Sequence, residues 1–391
     1  MELDRSQRIA MIGMYGGMWR EFNPGCFMIA HKTKYELQKR LPDSEIDLFS
    51  IDNKSQKDVP QTVKVGELDL HFFGSDRQLE FLDSTIGSYD ALVMGGDIIW
   101  GGDDVVQDNN IFFVNSPGFL ASPAPTVLFN CVHTFYDDST ITEQKDKFLR
   151  ANHRATYTAV RTPAIRDRLE RLGLEAVHYV PDPVLDLDMH TFLPSSAILS
   201  IDRSKPLLGV SVRRKLAREF IKAMQQIDTS AFNVVVFPFS RQYDNLGALQ
   251  EIRAAFGDAF YYFDRYLDPI QTYKLVGELD IFLNDTYHGN IASIIHRKPF
   301  ISLDVEPELT SRKQQLLQTT AIEDRYNIRL TPRSLDNTKI LIKHIPPLLQ
   351  SPLRYNETAM QRIHDQIQDH FETMAATIAH VVTPLQLSPA R

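Results

Sequence analysis

Short, continuous apolar runs punctuate this chain and alternate with stretches that carry a helical period. In the first half the runs are Ile9–Met14, Ile46–Ile51, Ala91–Met94, Thr126–Asn130, Tyr157–Val160 and Val177–Val180. Runs that are apolar throughout, rather than at every second position, predict strands covered on both faces, as in parallel sheets flanked by helices. The pattern pauses over Met189–Lys205, where Pro194 and the polar Asp202–Lys205 predict a linker. It resumes at Pro206–Val212, Asn233–Phe237, Phe260–Phe263, Asp280–Leu283 and Pro299–Leu303, with helical periods over Lys215–Gln226 and Asn245–Phe256. Two successive sets predict two doubly wound, Rossmann-like α/β domains, residues 1–195 and 196–355, facing each other across a ligand-binding cleft. Met360, Ile363, Ile367, Phe371 and Met374 then recur at helical spacing and predict a helix over 356–382 that packs across the domains, before a loose tail at 383–391.

Length and charge narrow the picture. The 391 residues fit two domains, because single cores stop growing near about 250–300 residues. With 42 Lys plus Arg against 50 Asp plus Glu, the net charge of −8 argues against a binder of nucleic acid or anionic membranes. Hydrophobic residues at 43% and charged residues at 24% describe a folded chain rather than a disordered one. Cys26 and Cys131 form neither a disulfide framework nor a Cys/His ligand spacing, so no metal is expected and a reduced, cytoplasmic setting fits. The charged start MELDRSQR lacks the apolar core of a signal peptide, and no apolar stretch reaches the roughly 18–20 residues that span a bilayer. A soluble protein is expected.

The densest chemistry lies in Ile281–Leu303, IFLNDTYHGNIASIIHRKPFISL. A strand ends at Leu283, the polar corner Asn284-Asp285-Thr286 follows, and Ile291, Ile294 and Ile295 define a short helix. Asp285 or Thr286 can cap that helix, which puts His288 in its first turn. Helix N-termini offer unpaired N–H groups and partial positive charge, and at the carboxyl end of a strand they form the usual anion site of α/β proteins. His288 therefore stands either beside a bound phosphate or as a histidine satisfied by local hydrogen bonds.

The run DTYHGNIASIIHRKPFISL, followed by TSRKQQLL and AIEDR, resembles the C-terminal signature of the polysaccharide pyruvyl transferase family. There a Ser or Thr, an aromatic or Leu, and a His precede a short helix and a Lys-Pro-Phe strand. The segment Tyr157–Leu187 is similar to the family's central part, with Val-Arg at a strand end, Leu-Gly at a helix stop and Asp-Pro after the next strand. The resemblance implies that Arg161 binds an anion; the alternative is a surface ion pair with Asp167 or another carboxylate. DALVMGGD, Asp90–Asp97, is similar to the family's Gly-rich turn, which makes Gly95, Gly96 and Asp97 acceptor or loop candidates against a plain tight turn and a helix cap. IAMIGMYGGMWREFNPG resembles the family's opening, where Asn-x-Gly follows the first strand. Asn23 and Gly25 match it, and Trp19 and Phe22 are either a sugar-stacking lip or core.

In the second half, Arg213, Arg214 and Lys215 follow a strand directly, so they either gather an anion or lie on a solvated face. Asp244 is similarly placed to the family's strand-end aspartate and could contact the acceptor, or it caps the helix from Asn245. Ser311 or Thr310 can cap a helix that opens on Arg312 and Lys313; a cation in a first turn is disfavoured unless an anion meets it.

The resemblance implies a GT-B-like two-domain enzyme that moves pyruvate from phosphoenolpyruvate onto two sugar hydroxyls as a cyclic ketal, in exopolysaccharide or cell-surface glycan synthesis. Its partners would be a small anionic donor and a glycan acceptor, with no cofactor and no nucleic acid; a lipid-linked acceptor would add peripheral contact with a membrane. His288 is the expected acid, with Arg161, Arg213, Arg214, Arg312 and Thr286 holding donor phosphate and carboxylate. In the family branch best matched to ketal synthesis an arginine stands where this chain has Thr286. The competing readings are a glycosyltransferase or sugar-nucleotide epimerase of the same architecture, which would need a carboxylate gripping a ribose, a place that neither Asp304 nor Glu306 clearly fills, and a non-catalytic family member that only binds a glycan or partner.

Overall fold

The computed structural model describes residues 6–13, 24–51, 62–65, 68–73, 86–95, 124, 126–129, 154–171, 173–188, 201–240, 244–305, 311–331, 334, 336–351 and 353–382. The chain divides into two compact units, one of Met1–Trp19, Cys26–Pro183 and Asp365–Arg391, the other of Arg20–Gly25 and Val184–His364. The division at Pro183–Val184 falls ahead of the expected boundary at 195, and the final helix is shared out at His364–Asp365.

The first unit is built on an eight-stranded sheet in the order β3-β4-β2-β1-β5-β6-β7-β8. Its strands are β1 (Arg8–Gly13), β2 (Glu45–Ile51), β3 (Thr62–Val65), β4 (Leu68–Phe73), β5 (Ala91–Gly95), β6 (Thr126–Phe129), β7 (Tyr157–Val160) and β8 (Val177–Tyr179). All pair in parallel except β3, which is antiparallel to β4. The edge pair β3 and β4 lies outside the predicted set of strands. Along β4 Leu68 and Leu70 are buried while Asp69 is exposed, so the segment alternates where the covered strands run continuously.

The second sheet has the order β11-β10-β9-β12-β13-β14 and is parallel throughout. Its strands are β9 (Leu207–Ser211), β10 (Asn233–Val236), β11 (Tyr261–Tyr262), β12 (Ile281–Asn284), β13 (Phe300–Asp304) and β14 (Asn327–Arg329). Leu207, Leu208, Val210, Phe282 and Leu283 are buried, as two-sided cover demands. The chain leaves β9 toward β10 on one side and returns through β12 on the other. The crevice at the carboxyl ends of β9 and β12 is therefore the topological switch point, where such sheets bind ligands.

The helices are α1 (Pro24–Arg40), α2 (Pro163–Arg171), α3 (Arg214–Met224), α4 (Asn245–Phe256), α5 (Pro269–Glu278), α6 (Tyr287–Ile295), α7 (Arg312–Thr319), α8 (Asn337–Gln350) and α9 (Glu357–Val382). The expected stripe of α9, from Met360 to Met374, is buried. Gly173 ends α2 with φ of 91°, the conformation glycine adopts most readily. No described helix is long and apolar enough to cross a membrane. The predicted tail at 383–391 and the linker residues 189–200 lie outside the described residues.

Candidate functional site

The polar corner after β12 is locked from behind. Asn284 is fully buried; its Oδ1 accepts from Thr286 N at 3.0 Å and Thr286 Oγ1 at 3.2 Å, and its Nδ2 donates to Asn290 Oδ1 at 3.0 Å. Asn290 passes the chain on to Ser302 Oγ of β13 at 2.9 Å. Thr286 is the cap of α6, accepting from Gly289 N at 3.0 Å. Of the two predicted caps, Thr286 takes the role, and its hydroxyl is engaged with Asn284 and Gly289 rather than directed to a donor.

Asp285 has a different task. It is fully buried and forms an ion pair with Arg213, Nε to Oδ2 2.5 Å, while Arg213 Nη2 donates to the Asp285 carbonyl at 2.8 Å. Arg213 sits at the cap position of α3, just beyond β9. The switch point thus carries an oriented guanidinium next to the α6 N-terminus.

His288 lies in the first turn of α6 and is 9% exposed. Its Nδ1 is 3.5 Å from the hydroxyl of Tyr273, a fully buried residue of α5. The Tyr287 ring meets the imidazole edge-on, with centroids 5.1 Å apart at 83°. Gly25, which clusters with this second unit, lies against the ring: a Cβ there would fall 2.0 Å from His288 Cγ and Cδ2. The Asn-x-Gly opening and the histidine signature, far apart in sequence, therefore converge at Gly25 and His288.

Arg312 opens α7, with its guanidinium carbon 5.6 Å from the Tyr287 ring centroid, a cation–π distance. The helix is anchored by Ser311, which accepts from Gln314 N at 3.1 Å and also bonds the Asp304 carboxylate. Asp304 receives Asn327 Nδ2 at 3.0 Å and pairs with the fully buried Lys313, Nζ to Oδ1 3.6 Å. The carboxylate considered for a ribose is consequently turned inward as a scaffold, and Lys313 is part of that scaffold. Glu306 lies outside the described residues.

Other candidates stand apart. Arg214 is exposed and bridges Asp244 at 3.3 Å and Glu251 at 3.0 Å. Asp244 caps α4 by accepting from Gly247 N at 3.1 Å. These two follow the plain readings, a solvated ion pair and a helix cap. In the first unit, Arg161 pairs with Asp182, Nη1 to Oδ2 3.5 Å, both nearly fully buried. The Val-Arg and Asp-Pro elements are thereby joined, whereas Asp167 pairs with Arg166. Gly95 ends β5; Asn23, Gly96, Asp97, Trp19 and Phe22 lie outside the described residues.

Sequence reasoning missed Tyr273 and the Asn284–Asn290–Ser302 chain. Tyr273 occupies an inward position of an ordinary amphipathic helix, which marks it only as core. The asparagines stood inside the quoted motif, but their partners come from a neighbouring strand.

Two sheets, one parallel throughout and the other parallel but for its edge strand β3, with helices and with motifs at their strand ends, define a two-domain Rossmann-like α/β protein of the kind found among GT-B glycosyltransferases and sugar-nucleotide epimerases. The chain belongs to the polysaccharide pyruvyl transferase family, whose sequence profile matches residues 23–307. No sequence among the curated proteins matches it. Among solved structures, a putative UDP-N-acetylglucosamine 2-epimerase from Listeria monocytogenes superposes with a TM-score of 0.59 at 10% identity, covering 99% of each chain. Sucrose-phosphate synthase from Thermosynechococcus elongatus gives 0.55 at 13% identity, over 97% of this chain and 99% of that one. UDP-GlcNAc 2-epimerase from Neisseria meningitidis, bound to UDP-GlcNAc, gives 0.55 at 10% identity, over 96% and 100%. At these identities the likeness is one of fold.

Proposed function

We propose that this protein transfers pyruvate from phosphoenolpyruvate to two hydroxyls of a sugar or glycan acceptor, forming a cyclic ketal and releasing phosphate. The observation that carries this reading is His288, a largely buried imidazole in the first turn of α6 at the switch point that Arg213 also borders. A donor with a phosphate and a carboxylate calls for cations and helix N–H groups rather than a nucleophile. Arg213 and Arg312 are the cations assigned to it.

In this scheme His288, as imidazolium, gives a proton to the donor methylene, and C2 becomes electrophilic toward the first acceptor hydroxyl. Departure of phosphate from C2 lets the second hydroxyl close the ketal. One hydroxyl proton restores His288, replacing the proton now in the new methyl group, and the other leaves on phosphate. Phosphoenolpyruvate is made in the cytoplasm, so the reaction is assigned there. The inward-turned Asp304 supports a donor other than a nucleotide sugar, since its carboxylate is held by Lys313, Ser311 and Asn327.

Melting curves with phosphoenolpyruvate and with UDP-sugars test the donor, because a ligand of the native state raises the midpoint. The expected result is a shift with phosphoenolpyruvate, and loss of phosphate release in His288→Gln at unchanged melting temperature. A shift with UDP-sugars alone would replace this reading by the transferase or epimerase one. Full turnover in His288→Gln would overturn the assigned acid, and binding without phosphate release from any acceptor would leave a binding protein.

A further inference from the structure

In the proposed reaction His288 exchanges protons with substrate through one ring nitrogen, and the Tyr273 hydroxyl lies 3.5 Å from the other, Nδ1. Tyr273 is fully buried on α5 and braced by Phe239, ring centroids 6.1 Å apart, which in turn packs on Phe282 of β12 at 6.2 Å. Phe239 is itself fixed, its N–H donating to Ser211 Oγ of β9 at 3.1 Å. The phenol is therefore set by the two strands that form the switch point.

We infer that Tyr273 is a positioning residue whose hydroxyl oxygen accepts from Nδ1–H of His288, pinning the tautomer that leaves Nε2 to trade protons with the ligand. This deepens the proposed function and rests on His288 being its acid. With Nδ1–H held throughout, the imidazolium delivers its Nε2 proton to the donor methylene, and the neutral ring then takes a proton at Nε2 from the acceptor hydroxyl. The Nδ1 proton never leaves. A neutral hydroxyl suits a ring that alternates between charged and neutral forms, because a carboxylate there would favour the cation. The contact is long for a hydrogen bond, and catalytic hydrogen bonds commonly tighten only in the substrate complex.

The test is Tyr273→Phe in the full chain, which removes one oxygen and keeps the ring. Nitrogen-15 spectra of the His288 imidazole report the tautomer without any substrate. The expected result is a single Nδ1–H form in the unaltered protein and a mixture of tautomers in the variant. Ketal transfer should fall about tenfold or more in kcat, within the range of acid–base contributions, with KM for phosphoenolpyruvate unchanged. Incorporating 3-fluorotyrosine at position 273, which restores a hydroxyl, should recover both and covers the case of a poorly folded Tyr273→Phe. An unaltered tautomer in Tyr273→Phe, or an Nε2–H form in the unaltered protein, overturns the inference. Failure of the unaltered protein to bind phosphoenolpyruvate overturns the function instead, and the nitrogen spectra tell the two apart.

Discussion

Nε of Arg213 lies 2.5 Å from Oδ2 of Asp285, and Nη2 of the same guanidinium donates to the Asp285 backbone carbonyl at 2.8 Å. The Arg213 guanidinium thus ties the end of β9 to both the side chain and the backbone of Asp285 in the corner after β12. Such a two-point hold needs the planar fork of arginine, and lysine's single ammonium cannot reproduce it. Arg213→Lys should therefore fail to rescue donor binding although it keeps the charge. Asp285→Asn should destabilise the protein by about 3 kcal/mol, because it strands a cation that is only 12% exposed. Phosphoenolpyruvate titrations and urea unfolding check the two statements; wild-type donor affinity in Arg213→Lys would refute the first.

Gly25 tests whether the N-terminal motif serves His288. An alanine Cβ would overlap the imidazole at its root, 2.0 Å from Cγ, so the ring must move rather than merely rotate its tip. Misplacing a catalytic group by about 1 Å can cost roughly a hundredfold in rate. Gly25→Ala should show a kcat loss of that order, measured by phosphate release, together with a lowered melting temperature, because a buried overlap also costs stability. Undiminished kcat would separate Gly25 from the site.

Lys313 should matter for stability although it touches no assigned ligand position. Its ammonium is fully buried, donating to the Leu303 carbonyl at 2.7 Å and facing Asp304. Lys313→Met leaves the Asp304 carboxylate without its cation and should cost about 3–5 kcal/mol. Adding Asp304→Asn removes the stranded charge, so the double variant should be less impaired than additivity requires. Urea unfolding of the four proteins measures the coupling, and strict additivity would contradict it.

His370 gives the first unit a pH dependence. It accepts or donates a 2.8 Å hydrogen bond with the Tyr157 hydroxyl, and burial, with the nearby His178 and Arg40, pushes it down to about 3. In the unfolded chain it titrates near its usual value of about 6.5. Between those values the unfolded state binds a proton that the native state refuses, so stability falls as pH drops below about 6.5 and levels off near about 3. The slope from this group approaches about 1.4 kcal/mol per pH unit. His370→Gln should flatten the acid side of a stability–pH curve from urea unfolding; parallel curves would exclude His370 as the cause.

Most strand ends and helix starts were legible in local sequence. Continuous apolar runs mark two-sided burial, and the caps Thr286, Asp244 and Ser311 act on backbone N–H groups three residues away, so β9, β12, α4, α6 and α7 were legible within a residue or two. The same local logic put His288 in a first turn beside a strand end. Weak or alternating segments such as β4 and β14 escaped it, because their burial depends on neighbours. The partner that each charged group took depends on the whole fold. Arg161 chose Asp182 over Asp167, Arg213 chose Asp285, Arg214 went to Asp244 and Glu251 at the surface, and Asp304 turned inward to Lys313. Direct ion pairs and hydrogen bonds form only within about 4 Å, and sheet order, not sequence spacing, brings residues as far apart as Arg213 and Asp285 within that range.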